Sequence, residues 1–135
     1  MKSLLFLPLL LLGVFFTSCK KEEITQEIVP NRTINFTVES GAWVEDDNRS
    51  SHYAELPVPE LTDRVNQTNG VLVYISNDGQ TWEAIPDVLD GITFLYTYTV
   101  GKIYLEVQDA NGSQLATPPG GKTYVKVALV ESEPV

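Results

Sequence analysis

From Thr33 to Val130 apolar and polar positions alternate with a period of two, the spacing of a strand with one buried and one wet face. Ile34, Phe36 and Val38 alternate with Thr33, Asn35, Thr37 and Glu39, which predicts the strand that opens the folded domain. A polar stretch from Glu45 to Ser51 separates it from a second extended segment, His52 to Val58. Pro57 and Pro59 cannot donate to a ladder, so that segment is expected at a sheet edge. Val71 to Ile75 predicts a further strand, and Ser76-Asn77-Asp78-Gly79-Gln80 fits a hairpin loop with a type I turn and a left-handed Gly79. In that register Tyr74 faces Trp82, with Leu72 and Ala84 beside them. Val71, Val73 and Ile75 face the other way, which predicts a central strand covered on both sides and a core position for Trp82.

Ile92, Phe94, Tyr96, Tyr98 and Val100 alternate as far as Gly101-Lys102, a pair suited to a two-residue type II′ turn, and Ile103, Leu105 and Val107 alternate beyond it. The turn would pair Val100 with Ile103, Tyr98 with Leu105 and Tyr96 with Val107, all on one face. A Pro/Gly loop at residues 118–121 leads into Lys122 to Val130, where Val125, Val127 and Leu129 supply another core face. Only Leu61 to Gly70 reads as a helix of one or two turns, with Thr62 as cap, Asp63 in the first turn and Asn69-Gly70 ending it in the left-handed region. The pattern predicts an all-β fold: a single antiparallel β-sandwich of about seven strands with one short helix, over residues 33–131.

Ahead of that domain the pattern changes. Lys2 is followed by an apolar run from Leu4 to Phe16, then by Thr17-Ser18-Cys19. Thirteen apolar positions fall well short of the roughly 20 that a spanning helix needs. A basic start, a short apolar stretch and small residues before a cysteine predict a lipoprotein signal peptide over residues 1–18, cleaved once Cys19 is acylated. Palmitate-type chains on Cys19 would anchor the mature chain to a membrane, since each buried methylene adds ~0.8 kcal/mol. Residues 19–32 are polar and charged with few apolar groups and read as a flexible tether, of which Lys20 to Arg32 would span ~43 Å when stretched.

Cleavage would leave 117 of the 135 residues, enough for one small domain. The full chain carries a net charge of −9, and a surface of that sign repels nucleic acid, which is excluded as a partner. Cys19 is the only cysteine, so neither an internal disulfide nor a thiolate metal cluster can form.

Candidate chemistry is sparse. His52 is the only imidazole, and no nucleophile elbow, zinc-protease helix, phosphate loop or dinucleotide fingerprint occurs, so a non-enzyme without catalytic residues or cofactor is expected. Glu45-Asp46-Asp47-Asn48, Asn77-Asp78 and Asp109 with Asn111 are rich in oxygen ligands, yet none matches a calcium loop, and turns favour these residues for backbone reasons alone; no metal site is expected. With Trp82 assigned to the core, Trp43 beside the acidic stretch is the aromatic residue expected to meet a glycan or protein ligand. Five Asn-x-Ser/Thr triplets, at Asn31, Asn35, Asn48, Asn66 and Asn111, are read as by-products of an Asn- and Thr-rich β surface.

Two resemblances add to this. Cys19-Lys20-Lys21-Glu22-Glu23 resembles the export signal of Bacteroidota surface lipoproteins, in which a Lys and two acidic residues follow the lipidated cysteine. It implies display on the outer face of the outer membrane, with Lys21, Glu22 and Glu23 as the signal. The mature chain, through Trp43, Tyr53, Leu56-Pro57-Val58-Pro59-Glu60-Leu61-Thr62, Gly70 to Tyr74, Trp82, Ile85-Pro86, Phe94, Tyr96, Tyr98, Gly101-Lys102-Ile103 and Tyr124-Val125, is similar to small uncharacterised Bacteroidota lipoproteins. That resemblance implies a β domain and a compartment, and no substrate. The reading as a whole is a surface-exposed lipoprotein acting as a non-catalytic binding or structural module, with a glycan-binding accessory of a polysaccharide uptake system as the alternative.

Overall fold

The computed structural model describes residues 30–112 and 114–135. The signal segment, Cys19, Lys21, Glu22 and Glu23 lie outside the described residues. The strands are β1 (Arg32–Val38), β2 (Val44–Asp46), β3 (Ser51–Pro57), β4 (Gly70–Ser76), β5 (Glu83–Ile85), β6 (Asp87–Leu89), β7 (Ile92–Thr99), β8 (Lys102–Asp109) and β9 (Thr123–Val130), with a helix α1 (Asp63–Thr68) before β4. They form two antiparallel sheets, ordered β1-β9-β4-β5 and β2-β3-β8-β7-β6, packed as an all-β sandwich.

Among the described residues nine strands replace the expected seven or so, because two extended segments change sheets midway. The chain leaves the first sheet at β1 and enters the second at β2 after a 3₁₀ turn, Ser40–Ala42; it crosses again from β5 to β6 with only Pro86 between them. Such switching strands make the corners of the sandwich. Between the sheets lie Leu56, Val73, Ile75, Phe94, Leu105, Val107, Val125 and Val127, all buried, on the faces that the alternation assigns to the core.

Both predicted hairpin registers are displaced by two residues, which preserves the faces and changes the partners. In β7 and β8 the pairs are Thr99 with Lys102, Tyr98 with Ile103, Tyr96 with Leu105 and Phe94 with Val107, so the turn is Val100-Gly101. The cause is tertiary. Gly101, at φ +84°, donates its N–H to the Leu61 carbonyl at 2.8 Å and accepts from Val58 N–H at 2.9 Å, fixing the hairpin tip on the segment before α1. Val100 and Tyr98 are left partly exposed there. Tyr96 stays half-buried, and its hydroxyl donates to the Val71 carbonyl at 2.6 Å, tying the second sheet to the first.

In β4 and β5 Tyr74 faces Ala84 instead of Trp82. Gly79 does take the left-handed conformation at φ +74°. The Asp78 carboxylate accepts the N–H groups of Gln80 and Thr81, both at 2.8 Å, so these residues stay in the loop and the ladder starts later. As predicted, β4 is central, between β9 and β5. It is covered on one side only, for Leu72 on its outer face is 45% exposed.

Two further expectations are corrected. β3 is flanked by β8 and β2, but β2 reaches only Ser51 to Tyr53, so the Pro57 end alone behaves as an edge. Thr62 caps α1 through its Oγ1, which accepts from Val65 N–H at 3.3 Å, whereas Asn69 is extended at φ −91° and leads directly into β4 without a left-handed end.

Candidate ligand cleft

The outer face of the second sheet carries the side chains that point away from the core: Tyr53 and Glu55 on β3, Tyr104 and Glu106 on β8, Thr97 on β7. The ladder sets Tyr53 opposite Glu106 and Glu55 opposite Tyr104. The two tyrosine rings meet edge to face, 6.1 Å between centroids at 70°, the geometry favoured by the ring quadrupoles. Over them lies the turn joining β2 to β3. Its shape is fixed locally: Asp46 Oδ1 accepts from Asn48 N–H at 3.1 Å, its carbonyl accepts from Arg49 N–H at 3.1 Å, and Ser50 turns through φ 51°. Sheet and turn enclose an open cleft of about 570 Å³ lined by Glu45 to Arg49, Tyr53, Thr97, Tyr104 and Glu106.

Glu106 forms part of the lining and is only 5% exposed although it belongs to an outer face. Its Oε1 accepts from Gln108 Nε2 at 2.7 Å, and its Oε2 meets Arg49 Nη1 at 3.4 Å. Arg49 reaches down from the turn with its side chain 60% exposed. Four carboxylates, from Glu45, Asp46, Asp47 and Glu106, thus share the cleft with one guanidinium. The lining offers two phenol rings, carboxylates, one amide and the Thr97 hydroxyl, a set for recognising polar or cationic groups, and it contains no histidine or cysteine.

The residues singled out from the sequence fall elsewhere. Trp43, the expected ligand contact, is buried at 8% exposure and belongs to the core. The chain must cross between sheets immediately before β2, and the indole fills that corner. Trp82, expected in the core, is instead half-buried on the outer face of the first sheet, where Lys126 Nζ lies 4.2 Å from its ring and 5.6 Å from that of Tyr74. Trp43 is thus the buried tryptophan and Trp82 the half-buried one, the reverse of the expectation. His52 does not line the cleft, and its Nδ1 is buried without a hydrogen-bond partner among the described residues. Glu106, Arg49 and Tyr104 went unremarked in the sequence, and Tyr53 entered only through a resemblance, with no role. A carboxylate between Leu105 and Val107 reads as an ordinary wet position, and only the turn folded above it makes it a cleft residue.

Among the described residues no group of three or more His, Cys, Asp or Glu side chains is arranged to hold a metal ion, and no helix is long and apolar enough to cross a membrane. Fold and site together define the class: an all-β sandwich with an acidic, aromatic-walled cleft on one outer face. Compared with protein-family models, curated proteins and solved structures, the chain matches none of them.

Proposed function

We propose that this chain is a surface-exposed outer-membrane lipoprotein, anchored by acyl chains on Cys19 and directed outward by Lys21, Glu22 and Glu23, whose β-sandwich is a non-catalytic binding module. The cleft on the second sheet carries the binding half of the reading. Placing Glu106 away from water brings a desolvation penalty that an ion pair with an exposed arginine barely offsets, so its seat in a concave, ring-walled surface fits recognition better than stability. The apolar run before Cys19 and the charges after it support the display half. β1 already begins at Arg32, one residue before the expected start of the domain, and a tether between Cys19 and that strand would hold the cleft clear of the headgroups.

The test is to follow backbone amide shifts of the full-length acylated protein in neutral detergent while adding neutral glycans, acidic glycans, basic peptides and acidic peptides in turn. At least one class is expected to move the amides of residues 45–49, Tyr53, Tyr104 and Glu106 together. If none does, the cleft is not a binding site. A second reading, glycan binding, is favoured by a different observation: Trp82 and Tyr124 share a groove of about 420 Å³ with Asn35, Thr37 and Asp78 on the first sheet. Shifts confined to those residues on adding glycans would support it over the cleft.

A further inference from the structure

We propose that the cleft captures the guanidinium of an arginine-bearing peptide segment, exchanging it for Arg49 on Glu106; this rests on the cleft being a binding site. Glu106 is the first reason. Its Oε1 is well served by Gln108 at 2.7 Å, but its Oε2 has Arg49 Nη1 at 3.4 Å, beyond the roughly 2.7–2.9 Å of a full charge-assisted bond. A carboxylate only 5% exposed has little water to make up the difference. It is therefore short of one strong donor on the side where Arg49 comes down from the turn.

Arg49 is the second reason. Its guanidinium already occupies the place, so a group of that shape fits. Its side chain is 60% exposed on a surface turn and meets the buried carboxylate at only 3.4 Å, so the arginine half of the pair can swing out when a second guanidinium takes its place. With Arg49 swung out, the lining holds four carboxylates and no cation. The walls are the third reason. Tyr53 and Tyr104 offer ring faces to a cation, and Lys102 Nζ already sits 5.9 Å from the Tyr104 ring while bonded to Glu55 at 2.9 Å. The cleft is far larger than one guanidinium, which leaves room for the residues flanking the arginine. A chain of net charge −9 draws such a partner in from a distance.

Calorimetric titration of the full-length acylated protein in neutral detergent tests this, with the blocked peptide Gly-Arg-Gly-Arg-Gly, its citrulline counterpart and spermidine as probes. The arginine peptide is expected to bind at least about tenfold more tightly than the uncharged citrulline peptide, as loss of a charge-assisted hydrogen bond implies. Arg49→Gln should tighten binding about two- to fivefold by removing the internal competitor. Arg64→Gln, which removes the same charge on α1 outside the cleft, should leave the affinity unchanged. Glu106→Gln should weaken binding at least about tenfold; if that variant does not fold, the contrast between Arg49→Gln and Arg64→Gln decides. Equal effects of those two arginine variants, equal binding of the citrulline peptide, or spermidine binding as tightly with the same dependence on Glu106 would overturn the inference in favour of a diffuse acidic field. Cleft shifts caused by a glycan but not by the arginine peptide would overturn it and leave the binding module standing; no binding by any probe class would overturn both.

Discussion

Asp78 shows how one exposed side chain sets a hairpin. Hydrogen bonds from the N–H of Thr81, then of Gln80, and from the Ser76 hydroxyl stabilise the carboxylate and lower its pKa from an ordinary 3.8 to about 2. A depressed carboxyl pKa adds stability that is present above pH 3.8 and lost as pH falls through about 2. Asp78→Asn should therefore lower the thermal midpoint at neutral pH, and its difference from the wild type should shrink between pH 4 and pH 2. Midpoint curves that stay parallel over that range would exclude the carboxylate as the group responsible. Tyr96 works in the opposite direction: burial, then the neighbouring Tyr98 and Tyr74, raise its hydroxyl pKa, so its bond to Val71 persists through neutral pH and its contribution fades only as alkaline pH approaches the raised value.

At the scale of elements, period-two patterning settled which side chains face inward, because a face survives any slip of two residues. It could not settle partners. The position of the β7–β8 turn depends on Leu61 and Val58, some forty residues upstream, and the start of β5 depends on which N–H groups Asp78 keeps in its loop. The cleft was less legible than the sandwich. Its floor comes from three strands and its roof from the turn between β2 and β3, so Glu106 and Arg49, 57 positions apart, meet only in three dimensions. The tryptophans show the same limit, since a corner between sheets is invisible in local alternation and Trp43 is what fills it. Gly101→Ala tests the hairpin directly. A Cβ there meets nothing within 4 Å, but φ +84° is unfavourable for any side chain, so urea unfolding should show a loss of about 1–2 kcal/mol. An unchanged unfolding free energy would mean that residue 101 can leave the left-handed region at no cost, and that the conformation of Gly101 does not fix the hairpin tip.

At the scale of the whole molecule, the proposed function would link the cleft on the second sheet to a membrane anchor at Cys19 through the segment ahead of β1. The anchor and the direction of display are separable in chemistry: acylation needs the Cys19 thiol, whereas export would read Lys21, Glu22 and Glu23. Cys19→Ala should release the domain from membranes and abolish acyl labelling. The most direct measurement is surface labelling of intact cells, by added protease or antibody against the β domain, in the wild type and in a variant with Lys21, Glu22 and Glu23 all replaced by Ala. The wild type is expected to be labelled, and the triple variant to remain acylated but hidden from the outside. Equal labelling of both would show that these charges only keep the tether solvated, and an unlabelled wild type would contradict surface display itself.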